Sequence, residues 1–477
     1  MNRQNFVGHL ALALMFVVAA AFVGQIQRWE WRRAAAPRTA EVARPAEAPA
    51  SRGAAFAREA SEPELLVRFS PGVPLEKIKE LSLMLGGRVE DEIESVGGLV
   101  SIDSAYGDGA SDWFARKFRE LPEVEYVEPN ETIWLNPRPA GSIAERFVSA
   151  PAAGPNDPLF AEQWALTNSG ARGGREKADI SALGAWAKTQ GSREVVVAVL
   201  DSGVDYTHPD LAGNIWQRPA SLAPYFDDEL GEVDDFRGFS ALEDLRDPMD
   251  DNGHGTHCAG IVGAEGDNGL GIAGVNWEVE IMPLKFIGKG GFGSTKDAVE
   301  AINYVIQRKR DGVNVRVISA SWGSRQKSRA LEDVIRKAGE EGILFVAAAG
   351  NNGEDADRFP HYPSNYDLPN VVSVAAMTRV DELAAFSNYG AKTVHLAAPG
   401  AEILSTWLGD GFEEHSGTSM ATPVVSGVAA LVLSVEPNLS VRELRQRLLD
   451  TVDKLDALRG KVSSGGRVNA ARAVGAR

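Results

Sequence analysis

Ser419 stands in "HSGTSMATPVVSG" (residues 415–427), where Thr418 and Ser419 open an apolar run with the look of a buried helix. A serine hydroxyl becomes a useful nucleophile when a neutral imidazole takes its proton and a carboxylate fixes that imidazole's tautomer. Hydroxyl residues at this place also suit helix capping, and Pro423 is tolerated in a first turn. Partners exist elsewhere in the chain. "VVVAVLDSGVDYTHPDL" runs through apolar residues to Asp201, and "DDNGHGTHCAG" places His254 and His257 beside two glycines. Each has a plainer reading: Asp201 as a turn former, a lone histidine as a structural side chain. His254 and His257 could also suggest a metal, but no Glu lies between them as H-E-x-x-H requires.

Those three residues fall at the edges of expected elements. Val195–Leu200 reads as a buried strand ending at Asp201, and further apolar strands are expected at 279, 315, 343 and 371. Between them "STKDAVEAINYVIQRKR" and "KSRALEDVIRKAGEEG" carry apolar residues at helical spacing. Near-continuous Val/Ile/Leu strands separated by helices predict an α/β fold, a mostly parallel sheet between helical layers. Functional groups in such sheets gather at the carboxyl ends of the strands. Ahead of this body, residues 64–135 predict a small α/β domain with strands at "ELLVRF", "GGLVSI" and "VEYVEPN" and two helices between them. The Pro-, Ala- and Gly-rich stretch 136–155 reads as an exposed linker.

At 477 residues the chain has room for two or three domains, and 44% hydrophobic residues suit a globular core. Its net charge is −17, although Met1–Ala60 holds eight Arg against four Glu, so the body is more acidic still. That balance disfavours nucleic acid and suits bound cations. A single cysteine, Cys258, excludes an internal disulfide framework, and no paired Cys/His spacing signals zinc. Cys258 lies four residues after His254, on one helix face, and is expected to be a buried small hydrophobe. The uncharged run Phe6–Gly24 fits both a removable signal peptide and a retained membrane anchor within residues 1–33, and 34–63 reads as a disordered tether.

Asp201, His254 and Ser419 follow the order Asp, His, Ser. With "NGHGTHCAG", "AAAGNNG" and "SGTSMATPVVSG" in sequence after "VLDSGVDYTHPDL", residues 156–477 resemble the subtilisin-like serine protease family. The resemblance implies a three-layer subtilisin-like peptidase domain with a catalytic triad and with Asn351 and the Ser419 N–H as oxyanion donors. It implies that "SASWGS" (Ser321, Trp322, Gly323) and "GKGGFGS" (Gly291, Phe292, Gly293) hold a substrate backbone as an added strand. It implies structural Ca²⁺ at Asp157, Asp210, Asn268, Leu270 and Ile272. It further implies that residues 64–135 are a chaperone-type propeptide whose C-terminal strand, "VEYVEPNETIWLN", enters the active site of a self-processing zymogen. Protein substrates, secretion or a periplasmic location, and neutral or alkaline activity follow as expectations. Asp250 and Asp251, just before His254, are open to two readings, a preference for basic substrate residues and an ordinary solvated loop. Two rivals fit less well: a binding scaffold should have lost one of the four site residues, and an esterase should carry G-x-S-x-G. A sedolisin-type acid peptidase would want a carboxylate where His254 stands.

Overall fold

β1 (Glu64–Phe69) alternates by the period-2 rule: Leu65, Val67 and Phe69 face one way and Leu66 the other. The first set meets Ile78 of the helix Leu75–Met84 and Phe114 and Phe118 of the helix Ser111–Arg119. Leu66 instead joins the core of the second domain. With β2 (Gly87–Glu92), β3 (Leu99–Ser104) and β4 (Val124–Pro129), β1 forms an antiparallel sheet of order β2-β3-β1-β4. The computed structural model describes residues 64–104, 111–135, 154–227, 231–242 and 246–476. The run Phe6–Gly24, the tether 34–63 and residues 136–153 of the expected linker lie outside the described residues.

Two features of this first domain differ from expectation. "GRVEDE" forms β2, an edge strand whose charged residues gave no apolar signal and which is held by pairing to β3. "VEYVEPNETIWLN" is broken after β4, and its second half, β5 (Thr132–Trp134), leaves the domain's own sheet altogether.

The second domain is built on β6 (Gly191–Asp201), β10 (Glu278–Lys285), β12 (Val315–Ala320), β13 (Leu344–Ala348), β14 (Val371–Met377) and β15 (Leu396–Pro399), all paired in parallel. Its nine-stranded sheet has the order β18-β19-β15-β14-β13-β12-β6-β10-β9, with β9 (Phe239–Ser240), β18 (Asp453–Lys454) and β19 (Gly466–Arg467) at the margins. β6 shows why the strands read as continuous apolar runs. Val195, Val197 and Val199 pack on one face against the helices His254–Gly263 and Thr418–Val435, while Val196, Ala198 and Leu200 pack on the other against Thr295–Arg310 and Arg329–Glu340. Each such side chain contributes about 1.5–3 kcal/mol on burial. Thr418–Val435, the one described helix long and apolar enough to cross a membrane, is a buried core helix here.

The two domains form one compact unit, Ser61–Arg477. Their contact is polar as well as apolar. Glu128 accepts from the N–H groups of Arg329 and Ala330 at 2.8 and 3.1 Å and from the Ser328 hydroxyl, so a carboxylate of the first domain caps a helix of the second. The Glu131 carbonyl and the Asn130 side chain likewise take the Thr295 and Lys296 N–H groups at the start of Thr295–Arg310.

Candidate active site

Asp201 is the last residue of β6, fully buried at the carboxyl edge of the parallel sheet. His254 is the first residue of the helix His254–Gly263, and its Nδ1 donates to Asp201 Oδ1 at 2.7 Å, an atom that also accepts from the Ser202 N–H at 2.8 Å. Nε2 is thereby left as the acceptor, the tautomer that a general base needs. Burial, the largest single influence, favours the neutral imidazole, yet the Asp201 charge and hydrogen bond together with the neighbouring Cys258 hold the His254 pKa well above the ordinary value.

What aims His254 is a side chain that sequence reasoning placed elsewhere. Asp250 is buried and makes five hydrogen bonds: Oδ1 accepts from Ser202 Oγ, Asn252 N and Gly253 N, and Oδ2 from Thr256 N and Oγ1, all between 2.6 and 3.0 Å. It ties the end of β6 to the start of the histidine helix, so it belongs neither to a solvated loop nor to a basic-residue pocket. Asp251 pairs with the buried Lys285 Nζ at 2.7 Å and is committed in the same way. The sequence signal was a side-chain oxygen three residues before a glycine at a helix start. Gly253 holds φ at +98°, and a Cβ there would lie 2.5 Å from the Trp407 ring. The second histidine, His257, is buried with Nε2 on the Ile403 and Glu413 carbonyls at 3.1 and 3.0 Å. Burial, with His415 beside it, keeps it neutral, and it braces β16 (Ile403–Trp407) and β17 (Gly411–His415).

Ser419 is the second residue of Thr418–Val435, whose N-cap is Gly417, with no side chain capping. The capping reading of Thr418 and Ser419 is therefore overturned. The Thr418 hydroxyl donates to Asn351 Oδ1 at 2.9 Å and accepts from Gly350 N, and the Ser419 hydroxyl donates to the Ser321 carbonyl at 2.9 Å. Both hydroxyls turn away from the helix they begin. Ser419 must leave Ser321 to meet His254, a looseness common before substrate arrives. Cys258 shows how near the two are, because its Sγ lies 4.0 Å from His254 Nδ1 and 3.5 Å from the Ser419 carbonyl oxygen. It is buried, as expected of a small hydrophobe, and burial pushes its thiol pKa up.

Asn351 follows β13. Its Oδ1 accepts from Thr418 N at 2.8 Å as well as from the hydroxyl, which orients the amide so that Nδ2 faces Gly417. A Cβ on Gly417 would lie 3.3 Å from Asn351 Nδ2 and 3.5 Å from Ser419 N, so this glycine keeps open a space bordered by both donors. Two N–H groups converging at a helix N-terminus can stabilise a developing oxyanion.

The two expected substrate segments are treated differently by the fold. β11 (Phe292–Ser294) already carries a partner: β5 pairs with it antiparallel, with Trp134 opposite Phe292 and Ile133 opposite Gly293, and Leu135 N donates to the Gly291 carbonyl at 2.9 Å. Ile133 is buried and the Trp134 and Phe292 rings lie 5.0 Å apart. Of the other segment, Trp322 is fully buried with Nε1 on the Leu200 carbonyl, and Gly323 abuts His361, so only its main chain could meet a peptide. Ser321 links this segment to the nucleophile through its hydroxyl, which donates to the Ser419 carbonyl at 2.8 Å.

The expected calcium ligands come together in one loop cluster. Asp157 and Asp210 are buried, with Asp157 raised to about 6 by burial and further by Asp210. Asp157 accepts from Asp267 N and Asn268 N, and Asp210 from Ile272 N and Asn268 Nδ2. The Asn268 oxygen meets the Leu270 N–H at 2.7 Å. Two buried carboxylates whose proton affinities burial raises are a donor set that fits a hard divalent cation.

A family model described as the subtilase family matches residues 192–473. The chain is 38% identical to the thermophilic serine proteinase of Bacillus sp. (strain AK1) over 61% of its own length and 64% of that protein's. It is 34% identical to thermitase of Thermoactinomyces vulgaris over 67% of this chain and 99% of thermitase. With the halolysin-like extracellular serine protease Nep of Natrialba magadii it shares 32% identity over 79% of this chain and 60% of the relative.

Proposed function

The chain belongs to the subtilase family, and from that premise we propose that it is a serine endopeptidase in which Ser419 attacks the scissile carbonyl. His254 takes the Ser419 proton and returns it to the leaving amine, Asp201 holds and charges the imidazole, and Asn351 with the Ser419 N–H binds the oxyanion. The observation that carries this reading is the 2.7 Å Asp201–His254 hydrogen bond, set beside the helix N-terminus that bears Ser419. A serine-directed fluorophosphonate tests it: one adduct on the active chain and none on Ser419→Ala are expected. An unlabelled wild type would leave the site without a nucleophile.

The zymogen reading rests on β5. A strand of the chain itself already lies where a substrate strand would, and residues 64–135 act as an inhibitory propeptide released by cleavage within 136–155. Intact mass should show this loss in wild type and its absence in Ser419→Ala. Substrates are proteins or peptides bound mainly through main-chain hydrogen bonds to Gly291–Gly293 and Ser321–Gly323. Export is supported by the extracellular designation of the Natrialba relative.

Replacing Asn351 by Ala is expected to lower kcat about 10²–10³-fold with KM little changed, because its amide bonds the oxyanion and not the ground-state carbonyl. The magnitude is that known for the matching donor of subtilisin. A fall in kcat/KM carried by KM alone would assign Asn351 to ground-state binding.

Ca²⁺ would be held by the Asp157 and Asp210 carboxylates with the Asn268 side chain and the Leu270 and Ile272 carbonyls, bracing the loops that precede the histidine helix and β10. Calcium bound only by the folded state at 100 times its Kd adds about 2.7 kcal/mol. Chelation should therefore lower Tm, and Asp157→Asn should diminish that response. A Tm indifferent to chelation in wild type would remove the site.

A further inference from the structure

Three carboxylates meet where the two domains join. Asp91 comes from the bulged end of β2, Asp227 from the end of β7 (Tyr225–Asp227), and Glu300 from the helix Thr295–Arg310. Each is at most 4% exposed, and one oxygen from each lies within 4.8 Å of the others. That is the widest span an ion with metal–oxygen distances near 2.4 Å can bridge.

The surroundings are built in detail. Glu300 Oε1 accepts from the Tyr225 hydroxyl at 3.2 Å and lies 3.5 Å from Asn303 Nδ2, which also reaches Glu94. Asn303 Oδ1 takes the Ser95 N–H at 3.0 Å, fastening the first domain to the same helix. Glu300 Oε2, by contrast, is buried and meets no donor. The cations on this helix are engaged elsewhere, Arg308 with Asp235 and Asp311 and Lys296 with Glu64. A divalent cation cancels two charges at once and uses the oxygen that no donor reaches. Glu94, exposed at the rim, gives an acidic entrance.

We propose that Asp91, Asp227 and Glu300 form a divalent-cation site, of the Ca²⁺ class by its all-oxygen flexible ligands, that bolts the first domain to the second. It is separate from the Asp157/Asp210 cluster. Because Asp91 departs with the first domain, cation binding and domain retention are reciprocally linked. That consequence rests on the propeptide reading; the site itself does not.

The test uses the full-length Ser419→Ala chain, stripped of metal and then dialysed against calcium, alone and with Asp91→Asn or Glu300→Gln. Each added substitution should remove one bound calcium per chain, and Tb³⁺ luminescence excited through Tyr225 should fall with it. Tyr225→Phe should keep the calcium and lose that luminescence. An unchanged calcium count in both carboxylate variants, with circular dichroism unchanged, would overturn the site. So would an unchanged count together with a higher Tm at neutral pH, which would show a cluster held by a proton. Under the propeptide reading, chelation should also speed loss of the cleaved domain from wild type about tenfold or more, and not from Asp91→Asn. Failure of the protease reading shows separately, as absence of fluorophosphonate labelling, and leaves the calcium count untouched.

Discussion

Ser419→Ala is expected to lower kcat/KM on a peptide substrate by about 10⁶-fold, the scale on which loss of a triad nucleophile is felt when its partners act only through it. The protein should otherwise be unchanged. Removing the hydroxyl forfeits one hydrogen bond to the Ser321 carbonyl, whereas the helix it begins is held by Met420, Ala421, Val424 and Val425 in the core. Stability within about 1 kcal/mol of wild type is therefore expected, and the chain should persist uncleaved. The measurement is single-turnover hydrolysis alongside intact mass. Residual activity near the wild-type level would move the nucleophile elsewhere, and trimming without activity would assign cleavage to another protease.

Asp201→Asn is expected to cost about 10⁴-fold in kcat, through the wrong imidazole tautomer rather than lost structure. Its pH profile is the more discriminating readout. His254 works as a base only when neutral, and the Asp201 charge raises its pKa. In wild type kcat/KM should therefore rise with pH through a limb on the alkaline side of the ordinary histidine value of about 6.5. With Asn in place the Asp201 contribution is gone and burial, the largest influence, favours the neutral ring with only Cys258 opposing it. The limb of the residual activity should move to lower pH. A wild-type limb at or below the ordinary value, unmoved by the substitution, would remove Asp201 from its charging role.

The parallel sheet and the strand ends that carry Asp201 and Asn351 were legible because both faces of β6, β12, β13 and β14 are covered. The apolar run then shows in one dimension what the layers do in three. β2 was not legible, since an edge strand of "GRVEDE" owes its form to pairing with β3 and not to its own pattern. Nor was the break between β4 and β5. Residues 124–134 read as one strand until two partners, β1 and β11, compete for its two halves.

Within the site, residue types and order offered Asp201, His254 and Ser419 as candidates, and the resemblance to the subtilisin-like family singled them out and added Asn351. The roles of their neighbours did not follow. Thr418 looked like a cap and orients Asn351; Asp250 looked like a loop charge and fixes the histidine turn. Both depend on which distant segment lies within 3 Å, which no local window contains. The carboxylates Asp91, Asp227 and Glu300 are the extreme case, each unremarkable in its own stretch of sequence and brought together only by the packing of two domains. The sequence by itself determined the sheet, the order of the reactive groups and the helix that presents Ser419, since these rest on periodicity and on side-chain chemistry. Tertiary structure alone decided hydrogen-bond partners, charge state and the pairing of β5 with β11, because burial and proximity are properties of pairs that the chain separates by scores of residues.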